Sequence, residues 1–559
     1  MSIPSAAATP TRRSILLVFA GLMVTMLLSS LDQTIFSTAL PTIVGELDGV
    51  DHMLWVTTAY ILASTIMLPV YGKLGDLIGR KGLFIGAIAL FIAGSIVGGL
   101  APDMTWLITG RAIQGLGGGG LMILSQAIIA DVVPARERGR YMGIMGGVFA
   151  LSSVAGPLLG GWFTESIGWR WAFWMNIPLG ILAIASAVAF LRLPKHTGAR
   201  PKLDVAGMLF IALASTCLVL VTTWGGTTYD WNSPVIISLI IGAIVTAVAF
   251  VMVERRAAEP IMPLHLFRDR NFNLSTGAGL IIGIAMFGAM AYLPTYLQMV
   301  TGADATQAGF LMIPMMAALL ISSIGSGQIV SRTGKYKMFP IIGTALVALS
   351  LVLLSTMTAG MQVWIICAYL AIMGLGLGLN MQILVLIVQN SFPLAQVGTA
   401  TAANNYFRQI GASIGSAVVG SLFVARLRDL FAERMPQQPG GGSAGGDSNS
   451  LTPAVVKALP KEVRDIIIGA YNDALTPVFL YMVPLVILGI VLLLFIKEKP
   501  LATSLERAKQ GPDSAPATGS ISVDSVTVAA GSVVGADTGS IPVIAPDRPT
   551  GPGPQGAQR

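Results

Sequence analysis

The chain has 559 residues, 54% hydrophobic and only 11% charged, with 34 Lys and Arg against 27 Asp and Glu, a formal net charge of +7 and a mean hydropathy of +0.75. Soluble domains carry about 25% charged residues, so this composition excludes an ordinary globular enzyme and points to a membrane. The two cysteines, Cys217 and Cys367, lie in apolar runs and support neither a disulfide framework nor a metal site; no metal or cofactor is expected.

Apolar runs of about 20 residues recur along the chain, each long enough to cross roughly 30 Å of hydrocarbon as a helix. A bilayer β-barrel would show short alternating segments instead. Cutting at charged clusters and at Pro or Gly predicts fourteen helices, over 14–40, 54–72, 83–100, 105–130, 141–162, 171–192, 205–224, 234–253, 273–299, 306–330, 339–358, 363–389, 398–424 and 476–496.

Arg12 and Arg13 precede the first run as in a secretory signal, but the run has no early small-residue cleavage site and is expected to be retained. It contains "SSLDQTIFSTALP", which puts Asp32 and Gln33 inside the span and Pro41 at its expected outer end. An ionised Asp at a bilayer centre costs roughly 3 kcal/mol or more, so this carboxylate needs a reason. Between the second and third spans stands "GKLGDLIGRKG", with Gly72 and Gly79 for close approach and turning, Asp76 near a helix end, and Arg80 and Lys81 as cations. Read alone, it is a basic loop that orients the chain.

The fourth span holds "ITGRAIQGLGGGG", with Arg111 and Gln114 three residues apart on one helix face. No strand precedes its glycines, which excludes a nucleotide-binding loop and leaves tight helix packing. The fifth span, "GIMGGVFALSSVAGPLLGG", carries Gly143, Ser152, Gly156, Pro157, Gly160 and Gly161; its Gly-Pro pair frees backbone groups and permits bending. Trp169, Trp171 and Trp174 suit an interfacial aromatic belt. After the tenth span, "GQIVSRTGKYKMF" echoes the loop after the second, with Gly327 and Gly334 at the spacing of Gly72 and Gly79. Duplicated membrane halves are the mark of many secondary transporters.

The thirteenth span brings Asn404, Asn405, Arg408 and Gln409 into the membrane, either as interhelical glue or as cavity lining. Between 426 and 475 a linker-like stretch leads to a segment in which Thr452 and Pro453 would start a short rim helix. Beyond the last span the composition is that of a disordered tail. The resulting division is a tail over 1–13, a six-helix half over 14–193, two additional helices with flanking loops over 194–272, five helices over 273–425, a long outer loop over 426–475, the last span over 476–497 and a tail over 498–559. With the N-terminus inside, short inner segments hold eighteen Lys and Arg residues, from Arg12 to Lys337, and the short outer loops hold Arg170 alone. This split places both termini in the cytoplasm and makes the basic charge a topology signal rather than a nucleic-acid footprint.

Taken in order, these motifs resemble the fourteen-span drug:proton antiporters of the major facilitator superfamily, the EmrB/QacA type, from about residue 14 to 497. The resemblance implies the major facilitator fold in a 6 + 2 + 6 arrangement, a location in the cytoplasmic membrane and function as a monomer. It also implies that Asp76 and Arg80 form a charge latch for the outward-open state, that Arg111 assists proton transfer, and that the fifth-span motif marks exporters. Ser152 stands where the family pattern has glycine, a departure that keeps the residue small.

A proton-coupled transporter needs a titratable group within the membrane. His52, His196 and His265 fall in loops, and every carboxylate but Asp32 lies at or beyond a span end, so Asp32 is the candidate proton carrier. Burial favours a neutral carboxyl and a nearby cation the carboxylate, so changing access can switch such a group. A permanent structural pair with Arg111 is the alternative. Gln33, Gln114, Asn404, Asn405 and Arg408 are the candidate cavity residues. A cavity with one acid and many apolar residues suits amphipathic, often cationic, compounds, with protons as the coupled partner and the bilayer as surroundings. Export of a native lipid, siderophore or secondary metabolite is the alternative. An enzyme would need a second titratable group beside Asp32, and a primary pump would need a P-loop; the sequence supplies neither.

Overall fold

The computed structural model describes residues 12–47, 52–191, 193, 202–226, 228–434, 456 and 459–503. Among them, fourteen helices are long and apolar enough to cross a membrane: α1 (Arg12–Glu46), α2 (Met53–Ile78), α3 (Arg80–Gly99), α4 (Met104–Val132), α5 (Ala135–Ile167), α6 (Trp171–Phe190), α7 (Val205–Trp224), α8 (Pro234–Glu254), α9 (Arg270–Val300), α10 (Thr306–Thr333), α11 (Met338–Ser355), α12 (Val363–Ser391), α13 (Leu394–Arg434) and α14 (Lys461–Leu494). All fourteen expected spans are present, and the described residues form no β-strand beyond an isolated bridge between Gly225 and Tyr229. The protein is an all-helical, multi-pass membrane protein.

Local chemistry sets the helix ends. Asp103, Asp204 and Asp269 cap α4, α7 and α9 by accepting the backbone N–H groups of Trp106, Gly207 and Phe272 at 3.0, 2.8 and 2.8 Å. Gly79 (φ 95°) turns the chain between α2 and α3, and Gly334 (φ 76°) ends α10; both occupy the left-handed half of backbone space. Pro294 and Pro314 sit where α9 and α10 are interrupted, at Tyr292 and Met312.

Helices α1 to α6 pack among themselves, as do α9 to α14, while α7 and α8 pair with each other and α7 also touches α2 and α13. The two sets meet along α2 against α13 and α5 against α10. A side chain at Gly72 of α2 would collide with Ala402 of α13, and one at Gly327 of α10 would collide with the Gly139 carbonyl of α5. The repeated glycines therefore do the same work in each half. Each lies seven residues before a positive-φ glycine and lets its helix approach the other half's backbone.

Three boundaries differ from expectation. Pro41 does not end α1, which continues through it to Glu46, with Ile43 and Val44 buried. No separate rim helix forms after residue 460: that segment is the first part of α14, starting at Lys461, with Ile467, Ala470, Tyr471 and Ala474 buried. It is held to an extended α13 by the Arg434–Asp473 pair at 2.8 Å and by the Phe423 and Tyr471 rings. Thr452 and Pro453 lie outside the described residues. The tail expected from residue 498 begins as an ordered strap: Glu498 accepts the Tyr336 N–H at 2.6 Å, the Tyr336 hydroxyl donates to the Lys499 carbonyl at 3.1 Å, and the Ala502 carbonyl accepts the Arg136 N–H at 3.1 Å. Residues 504–559 lie outside the described residues.

At the end of the first half opposite the basic loops, Glu46 of α1 accepts from Arg170 at 2.6 Å and from Trp169 at 2.8 Å. The Arg170 hydrogen bond, then that of Trp169, holds the Glu46 carboxyl below its ordinary value of 4.5. A depressed carboxyl stabilises the folded state above 4.5, and that stabilisation is lost as pH falls through the lowered value. Thermal unfolding at about pH 7 and about pH 3 should therefore show a smaller acid-induced loss of stability in Glu46→Gln than in the parent protein.

Candidate functional site

The first half is built around Asp32. Its carboxylate is fully buried on α1, and Oδ2 accepts from Arg111 Nη1 of α4 at 2.5 Å. Oδ1 accepts from Gln114 Nε2 at 3.1 Å and from Asn176 Nδ2, on α6, at 3.0 Å. Ser95 of α3 completes the cage by accepting from Gln114 at 2.7 Å and from Asn176 at 3.2 Å. Four helices thus converge on one carboxylate. In an apolar interior such a group persists only when paired and hydrogen-bonded, and both conditions hold here.

Arg111 is 2% exposed and does not depend on Asp32 alone. It donates to Gln114 Oε1 at 2.8 Å and to the Val56 carbonyl at 3.4 Å, and its guanidinium lies 4.3 Å from the Phe36 ring centroid and 4.4 Å from that of Tyr60. Two aromatic faces and two oxygens would keep the cation in place if Asp32 became neutral. Gln33, one residue on from Asp32, is exposed and donates to the Tyr60 hydroxyl at 3.4 Å. Gln114, expected to line a cavity, is wholly enclosed in the Asp32 cage.

The fifth-span motif touches both this site and the other half. Thr34, two residues after Asp32, donates to the Ser152 carbonyl at 3.0 Å, and a side chain at Gly156 would collide with it. Gly160 lies against the Ile35 carbonyl of α1. Farther along α5, the Gly143 carbonyl accepts from Ser323 of α10 at 3.1 Å. Pro157 lies inside α5, and Gly161 meets nothing within 4 Å. One helix therefore links the Asp32 segment to the opposite half.

At the basic-loop end, Asp76 accepts from Arg80 at 2.7 Å and from the Gly398 and Thr399 N–H groups at 3.1 and 2.7 Å, and from the Thr399 hydroxyl at 2.8 Å. It sits where α13 of the other half begins its long α-helical run, an anion against backbone N–H groups of the first helical turn, which have no partner within the helix. Arg80 also pairs with Asp131 at 2.6 Å and donates to the Leu394 carbonyl at 3.1 Å. The loop between α12 and α13, which lacks a cation of its own, is therefore the one that receives Arg80. Lys81 is more exposed and reaches the Val188 carbonyl at 3.1 Å.

The thirteenth-span residues divide. Asn404 accepts from Thr276 of α9 at 3.4 Å, within its own half, whereas Asn405 donates to Gln126 of α4 at 3.0 Å, across the halves. Arg408 donates to Asn405 at 2.6 Å. Sequence reasoning missed Asn176, Ser95, Asp131 and Gln126: three are neutral and of common type, and Asp131 reads as a helix-end charge.

The family model described as Major Facilitator Superfamily matches residues 22–416. The chain belongs to the major facilitator superfamily. It is 42% identical to an uncharacterised MFS-type transporter of Mycobacterium tuberculosis, over 88% of this chain and 71% of that protein. It is 34% identical to the multidrug transporter protein MdtP of Bacillus subtilis, over 88% and 94% respectively. Among solved structures, the proton:xylose symporter XylE matches with a TM-score of 0.58 at 14% identity, covering 89% of this chain and 99% of that one, a likeness of fold. The chain is a transporter and not an enzyme.

The contact between Asp76 and the start of α13 predicts that Asp76→Asn loosens the seam between α2 and α13. With Cys217 and Cys367 replaced by serine and Ala402→Cys as reporter, maleimide labelling should be about tenfold faster in Asp76→Asn than with Asp76 intact, as expected for losing about 1.4 kcal/mol of closure.

Proposed function

We propose that this protein is a proton-coupled antiporter that exports amphipathic compounds, cations among them, across the cytoplasmic membrane, working as a monomer with both termini inside. The observation that carries this reading is the Asp32 carboxylate, fully buried in a span and held by Arg111, Gln114 and Asn176. Relatives at 34% identity that bear the names multidrug transporter and multidrug resistance protein support drug export. The eighteen-to-one distribution of basic residues supports the orientation.

In this reading the structure corresponds to a state closed at its basic, cytoplasmic end, where Asp76 engages α13 and Gly327 meets Gly139. A proton arriving from outside neutralises Asp32. The charge pair with Arg111 is then lost, and Arg111 relaxes onto Gln114, Val56 and the two aromatic faces. The freed α1 segment shifts against α5 through the Thr34–Ser152 and Gly156 contacts, and α5 carries that shift to α10 through Gly143 and Ser323. Opening at the basic end breaks the Asp76 contacts and admits substrate. Substrate binding and proton release then restore the Asp32–Arg111 pair, so the two fluxes oppose each other. A cationic substrate is favoured at the stage when Asp32 is ionised and not yet re-paired.

Rhodamine 6G export from proteoliposomes, with and without an imposed proton gradient, tests this reading. The parent protein should export the dye only with the gradient. Asp32→Asn should abolish gradient-driven export while remaining folded in the bilayer, and gradient-driven export by Asp32→Asn at the parental rate would contradict the assignment. Arg111→Lys keeps the charge but loses the fork and the ring stacking, and should slow export by about tenfold or more.

A further inference from the structure

Not every cation within the spanning helices has a carboxylate partner among the described residues. Arg111 is paired with Asp32, and Arg80 with Asp76 and Asp131. Arg138, close to the start of α5, donates to the Val133 and Ala130 carbonyls at 3.0 and 2.8 Å. Arg408 has no carboxylate within ion-pair distance among the described residues, and its single hydrogen bond there is the one to Asn405. A guanidinium has five N–H donors, so most of this group's capacity is unspent.

Its position removes the usual escape. Arg408 lies eleven residues beyond Val397, where the long α-helical run of α13 begins, which places it about 16 Å along the axis and near the middle of a bilayer roughly 30 Å thick. It cannot snorkel to an interface. It faces the other half, because Asn405, to which it bonds, reaches Gln126 of α4. It is only partly buried, whereas Asn405 and Gln126 are 2% and 0% exposed. Behind it, the Gln126 Nε2 donor is buried without a hydrogen-bond partner. Unspent donors therefore collect at the seam between the halves, around a cation with no counter-charge, where an unpaired charge is costly. A carboxylate, sulfonate or phosphate fits a guanidinium fork with two parallel charge-assisted bonds, and a lone cationic head group is repelled by it.

We propose that Arg408, backed by Gln126, binds the anionic head group of an amphipathic substrate, so that the compounds this protein exports include carboxylates, sulfonates or phosphates on an apolar body. Gln126 lies twelve residues beyond Gln114, about 18 Å along α4, so this subsite is separate from Asp32 and both can act on one zwitterion. The proposal rests on the export reading in placing Arg408 on the substrate path.

The test is equilibrium binding, read by fluorescence anisotropy, of two dyes sharing a xanthene body, sulforhodamine B with sulfonates and cationic rhodamine 6G, to the full-length protein in nanodiscs. The parent protein should bind sulforhodamine B saturably. Arg408→Gln should lower its affinity for sulforhodamine B relative to rhodamine 6G by about tenfold or more, and Arg408→Lys should recover part of that loss. Absence of saturable sulforhodamine B binding to the parent, or an equal loss for both dyes in Arg408→Gln, overturns the proposal. Failure of gradient-driven rhodamine 6G export by the parent overturns the export reading instead, and leaves the ratio of the two dye affinities to be judged by itself.

Discussion

A carboxylate and a guanidinium 2.5 Å apart, both withdrawn from water between α1 and α4, are the constraint around which the first half is arranged. Neither charge is tolerable alone in an apolar bundle, so each must stay paired or acquire substitutes. Asp32 has Gln114 and Asn176 as further donors, and Arg111 has two aromatic faces and two oxygens. This asymmetry matters for mechanism. Arg111 is provided for whether or not Asp32 is charged, whereas the ionised Asp32 depends on Arg111. Under the proposed proton coupling, neutralising Asp32 would change the force on α1 without leaving a buried cation stranded.

In the proposed cycle, contacts between helices give that force a route. Thr34 bonds the α5 backbone two residues from Asp32, and the same helix meets α10 at Gly143. Small residues keep the route short: Gly143 and Gly160 face the backbone of Ser323 and Ile35, and the hydrogen bonds at Thr34 and Ser323 come from short hydroxyl side chains. At the basic end the halves are joined by polar contacts as well as by the glycine contacts: Asp76 on the N–H groups of Gly398 and Thr399, Arg136 on the Ser331 and Arg332 carbonyls, and the strap from Glu498 to Ala502. Hydrogen bonds of this kind contribute about 1 kcal/mol each and can be exchanged for water, which suits a seam that opens and recloses.

The fold was largely legible because crossing a bilayer forces long apolar helices separated by charged or Gly- and Pro-rich turns, and each of the fourteen spans carries that imprint. Asp32 stood out as the single carboxylate well inside a span, and Arg111 as a cation where none is cheap. The glycine repeat predicted two related halves, and Gly72 and Gly327 make equivalent contacts. Less visible were the partners that complete the site. Asn176 and Ser95 are ordinary polar residues on α6 and α3, brought to Asp32 only by tertiary packing. Gln114 looked like cavity lining because its helix face was known but not what covers it. The strap was hidden for a different reason: many of its bonds use backbone groups, which leave no side-chain pattern to read.

The central claim is that Asp32 binds a proton in one state and surrenders it in another, with substrate deciding between them. The most direct measurement is proton release in weakly buffered detergent solution, followed with a pH indicator as rhodamine 6G is added to the purified full-length protein. The account predicts stoichiometric proton release that saturates with dye binding and is missing when Asp32 is replaced by asparagine. Dye binding without any release from the parent protein, or equal release from both proteins, would contradict it.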